Sequence, residues 1–124
     1  MNAQLIILAF LAITFLQSGY DKATDWNGNI GWLKGHFAQT PLKNQVPMAL
    51  ATILFLETLS GILAVVGMVQ ILQSSSTQIG HWACLLSAIT LLFLLLGQRL
   101  AKDYDGARTI VIYLIPTLLG LYWM

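Results

Sequence analysis

Residues 46–72 read VPMALATILFLETLSGILAVVGMVQIL, a run of 27 residues whose single charge is Glu57. A helix needs about 20 mostly apolar residues to cross roughly 30 Å of hydrocarbon, so this stretch is long enough to span a bilayer. Backbone polar groups in lipid have no water to bond, which makes a helix the expected form. Three other stretches repeat the pattern. One runs over 3–20 around the apolar core Leu5–Leu16, one over 81–99 and one over 107–124. The first lacks a basic leader and a small-x-small cleavage site, so it is expected to be a helix of the mature chain rather than a signal peptide. The whole sequence is 57% hydrophobic and 9% charged, against roughly a quarter charged in a soluble domain. The expected fold is therefore all-α: one integral membrane four-helix bundle filling 1–124.

Charge sets the topology. All six Lys and Arg fall in two connections. Lys22, Lys34 and Lys43 lie between the first and second segments, and Arg99, Lys102 and Arg108 lie around the link from third to fourth. Four crossings bring those connections to one side. The positive-inside rule makes that side cytoplasmic and puts both termini outside. Trp82 and Trp123 then fall at the outer interface, and Trp26 and Trp32 at the inner one, as aromatic belts require. The mixed-charge link with Asp103 and Asp105 reads as a solvated turn with local ion pairs.

The first connection is too long for a turn. Trp26, Ile30, Leu33 and Phe37 share one helical face in it, with Gly28, Gly31 and Gly35 opposite. This predicts a short amphipathic interfacial helix ended by Pro41. It serves either as a lid that seals the bundle or as the mouth for a lipid-soluble ligand, with His36 as polar handle.

Glu57 is the residue that needs explaining. It stands eleven positions after Val46, about 16 Å deep at ~1.5 Å per residue. A lone carboxylate there costs several kcal/mol. With no cation expected at that depth, the reading is a neutral carboxyl facing the interior, hydrogen-bonded to the fourth segment. Ser60, Gly61 and Ala64 continue its face and permit close helix approach. Tyr113 and Thr117 lie at reachable depth, and Pro116 leaves the Ile112 carbonyl without its usual donor. Either Glu57 is a packing bond, or it exchanges a proton with a bound quinone. No second acid is expected inside a helix, so a multi-step relay is not.

Other chemistries are excluded by type and spacing. His36 and His81 are expected about a membrane thickness apart, so they cannot form a bis-histidine haem site. With one cysteine, Cys84, they make no metal cluster. There is no phosphate-cradling glycine loop, and the net charge of +1 gives no reason to expect nucleic acid. No catalytic residue is assigned, and no intrinsic cofactor is expected beyond a bound quinone or lipid. The third segment is apolar nearly all round through Leu85, Leu86, Leu91, Leu92, Leu94 and Leu95, which suggests contact with other membrane subunits.

Gly19-Tyr20-Asp21-Lys22, Glu57 with Gly61, and Lys102-Asp103-Tyr104-Asp105-Gly106-Ala107 with Tyr113 together resemble the DoxX family of bacterial membrane proteins. The resemblance spans nearly the whole chain. It implies a bacterial inner-membrane four-helix bundle, with Lys22, Glu57, Asp103 and Gly106 as the motif positions. Relatives often carry an arginine early in the first helix, and this chain has none there. The family includes subunits associated with quinone-linked oxidation of sulfur compounds. The implied role is an accessory or structural subunit of a larger redox complex, not catalytic by itself. The alternative is a quinone-reactive oxidoreductase subunit with Glu57 in proton exchange. A small transporter is the third reading, disfavoured by the lack of a polar-lined path.

The charge split yields a direct test. In a Cys84-free chain in intact cells, an impermeant thiol reagent is expected to label cysteines placed at Asn2 and Ser75 and to spare one at Asp105. The reverse pattern would invert the topology.

Overall fold

The computed structural model describes residues 2–41, 44–74 and 76–124, and these form five helices. They are α1 (Asn2–Thr24), α2 (Trp26–His36), α3 (Val46–Ser74), α4 (Gln78–Leu100) and α5 (Tyr104–Trp123). All but α2 are long and apolar enough to cross a membrane. At 1.5 Å per residue even α5, with 20 residues, is about 30 Å long. Lys43 and Ser75 of the connections lie outside the described residues.

The long helices pack in the order α1, α3, α4, α5, each antiparallel to the next. α1 lies along α3, α3 along α4 and α4 along α5, while α3 and α5 do not meet. The fourth seam, α1 against α5, is thin and concentrated at the end carrying the termini. There Gln4 Nε2 donates to the Trp123 carbonyl at 3.1 Å. The Phe10 and Tyr113 rings meet edge to face at 5.9 Å, about halfway along.

Small residues bring the backbones together. On α4 the buried face is Gly80, Ala83, Cys84, Ser87, Ala88, Thr90 and Leu91, while Leu92, Phe93 and Leu96 point outward. The helix read as uniformly apolar thus has a small-residue stripe turned to the bundle. A Cβ on Gly67 would lie 3.0 Å from both Cα and N of Gly80, so α3 and α4 touch backbone to backbone. Such contacts are what hold helices together where lipid removes the hydrophobic drive. Ser60 and Thr90 face each other across the same interface at 3.5 Å.

The α4–α5 turn is a Schellman motif. Asp103 N donates to the Gln98 carbonyl and Lys102 N to that of Arg99. Lys102 takes the left-handed conformation at φ 60° that glycine would ordinarily fill. Asp103 then caps α5, its Oδ1 accepting from Gly106 N at 3.0 Å. Arg108 and Asp105 pair at 3.2 Å in the open, as a solvated turn predicts.

Two helix limits differ from the sequence reading in a way that matters. α1 continues four residues beyond 20, and α5 starts three before 107. Asp21 and Lys22 are therefore helical residues. α2 ends at His36, before the expected stop at Pro41; Trp26, Ile30 and Leu33 on it and Phe37 at its C-cap are half-buried, and its glycines are exposed.

Glycine substitutions should separate by site. Gly67→Ala is expected to cost about 1–3 kcal/mol through overpacking against Gly80. Gly31→Ala, with nothing within 4 Å, is expected to stabilise by roughly 0.5–1 kcal/mol. Unfolding in mixed micelles would show the opposite signs.

Candidate functional site

Glu57 does not bond to α5. Its carboxylate Oε1 lies 2.9 Å from Lys22 Nζ of α1. This corrects the expectation that no cation lies at its depth, and the reason is geometric. Side chains lean toward the N-terminus of their own helix. In α1 that direction runs into the bundle, and in α3 it runs toward the basic end, so the two side chains converge. Lys22 is one turn below Ser18, and its ammonium also donates to Ser18 Oγ at 2.6 Å. The Glu57 side chain is 3% exposed and that of Lys22 21%. The carboxylate is almost fully buried, and the lysine reaches it from the rim.

Two cavities flank this pair, both lined in part by Lys22, Leu94 and Gln98. The first is an apolar groove of about 390 Å³ under α2, between α3 and α4. Its walls include Trp32, Phe37, Ala49, Ile53 and Phe93, and its polar groups include Lys22, His36 and Gln98. The second, about 470 Å³, opens where α1 and α5 part. Glu57, Gln17, Ser18, Asp21 and Tyr113 line it. A polar-lined space therefore exists, contrary to the sequence reading. The acid Asp21 is also helical and shares that space with Glu57.

His36 is fixed by its neighbours. Its Nε2 donates to Gln98 Oε1 at 3.1 Å and lies 3.8 Å from Asp103 Oδ2. Trp32 stacks on its ring at 4.6 Å. Gly106 completes the cluster, since a Cβ there would lie 2.6 Å from Gln98 Nε2. His36, Asp103 and Gly106 are thus brought together through Gln98. Tyr113 faces the same cavity as Glu57 across the bundle. Thr117 stands apart: it is buried, lines neither cavity, and donates back to the Tyr113 carbonyl at 2.9 Å.

Sequence reasoning missed Gln98, Ser18 and Gln17. The available signals were the i, i+4 spacing of Ser18 and Lys22, and the position of Gln98 as the first polar side chain after the apolar run of α4.

The ion pair makes a prediction. Lys22→Met strands a buried carboxylate and is expected to cost about 3–5 kcal/mol. Adding Glu57→Gln to it should restore most of the loss. Additive losses in a double-mutant cycle would show that the two side chains do not interact.

No protein-family model, curated protein or solved structure matches the chain.

Proposed function

We propose that this chain is a multi-pass membrane subunit that binds a quinone-class amphiphile in the groove under α2, as an accessory component of a redox complex. The observation that carries this is Lys22, held by buried Glu57 in the wall of an apolar, aromatic-rich groove. An ammonium has three N–H donors. One is given to Ser18, the ammonium as a whole sits against Glu57, and a further N–H can meet a carbonyl oxygen in the groove. Gln98 and His36 add polar contacts beside it. The flat walls of Trp32, Phe37 and Phe93 suit a planar ring and a hydrocarbon tail. Glu57, behind the lysine, is the group that would exchange a proton.

The DoxX resemblance points the same way, toward a bacterial inner membrane and quinone-linked chemistry. The basic loops then face the cytoplasm, both termini face outward, and α2 lies at the inner interface as the mouth of the groove. The outward leucines of α4 are the surface for neighbouring subunits. A purely structural subunit is the competing reading, and it predicts no ligand.

Trp32 supplies the readout. A short-tailed quinone added to the protein in nanodiscs should quench tryptophan fluorescence saturably. Trp32→Phe should remove the saturable part. Ala49→Phe, which fills the groove from α3, should weaken binding at least about tenfold, near 1.4 kcal/mol. Linear quenching that is indifferent to both changes would be mere partition into lipid and would overturn the proposal.

A further inference from the structure

We infer that the second cavity is a water-filled inlet that connects the basic end of the bundle to Glu57 and is closed toward the other end. Its use in supplying protons to a quinone rests on the reading above. Its existence does not.

The lining argues for water rather than lipid. Gln17, Ser18, Asp21, Lys22, Glu57 and Gln98 make up about half of its lining, the rest being apolar side chains such as Ile13 and Ile110. Hydrocarbon against the polar half would leave those groups unsatisfied, each at a cost of kcal/mol. At about 470 Å³ the cavity is far larger than the ~30 Å³ share of one water, and it offers each water several polar partners. Glu57 Oε1 has the Lys22 ammonium against it but no well-aligned hydrogen bond among the described residues. Glu57 lines the inlet with its side chain 3% exposed, and a carboxylate accepts about four hydrogen bonds.

The inlet has a direction. Exposed Asp21 and Gln17 stand on α1 toward the basic end. Toward the opposite end the seam closes where Phe10 meets Tyr113, and buried Phe15 and Leu91 line the floor. Waters between Asp21 and Glu57 would pass a proton from bulk solvent to the buried carboxylate. Only protons move in this step: a water donates to Glu57 and is replenished from the mouth. On the other side of the shared Lys22–Gln98 wall lies the groove, so ligand and water approach the pair from opposite faces.

The test is chemical accessibility in a Cys84-free chain in nanodiscs, using a permanently cationic methanethiosulfonate. Thr14→Cys and Ser18→Cys place thiols in the inlet, Leu118→Cys faces outward from α5, and Asp105→Cys is the exposed reference. Thr14→Cys and Ser18→Cys are expected to react within about a hundredfold of Asp105→Cys, and Leu118→Cys not to react, because the reactive thiolate needs hydration. Inlet positions as silent as Leu118→Cys would overturn the inference. Solid-state NMR transfer from water to Thr14 and Ser18 in the unsubstituted chain reads the same property without a variant, and its absence would overturn it equally. Labelling without saturable quinone quenching would leave the inlet standing and remove the quinone. Quenching with a dry cavity would do the reverse.

Discussion

Glu57 of α3 is buried among four long apolar helices, and Lys22 of α1 lies 2.9 Å from its carboxyl oxygen. Much of the bundle follows from that one contact. The pair fixes the register of α1 against α3, since sliding either helix by a turn would strand both charges. In that register Gly61 falls against Leu16 and Gly19 against Thr58. These contacts are close because neither glycine has a side chain to hold the helices apart. The same pair divides the interior at the basic end into an apolar side and a polar side, each with its own cavity.

The helical architecture was legible because it depends on coarse quantities: run length, charge sparsity and the placement of basic residues. The buried face of α3 was legible too, because Ser60, Gly61 and Ala64 follow Glu57 at helical spacing. The partner of Glu57 was not. Lys22 lies 35 positions earlier, just beyond the expected end of the first helix, and the sequence does not mark how far the helix continues past Tyr20. Four more helical residues turn a loop cation into one directed along the bundle. The same extension carries Asp21 into the second cavity.

Assembly of the basic end was hidden for another reason. His36, Gln98, Asp103 and Gly106 come from α2, α4, the α4–α5 turn and the first turn of α5, and no local period relates them. Their meeting depends on the Schellman turn that folds α5 back and on a glycine that leaves room for the Gln98 amide. Asp103 has two tasks there. One carboxylate oxygen caps α5 and the other faces His36, so the fold of the turn and the seat of α2 share one side chain.

Pro116 lies inside α5, one turn beyond Ile112 and close above Tyr113. It has no N–H to give the Ile112 carbonyl, and its ring crowds that turn. α5 nevertheless runs on as one helix through this point, short of one backbone hydrogen bond. Beyond it, Gln4 of α1 holds the Trp123 carbonyl; before it, Tyr113 meets Phe10 of α1 and Asp103 caps the first turn. Tyr113 and Ile110 of this helix line the polar cavity, so a bend at Pro116 would alter its width while leaving in place the Lys22–Glu57 pair, which is carried wholly on α1 and α3. The width of that opening and the position of the two charges thus belong to different helix pairs.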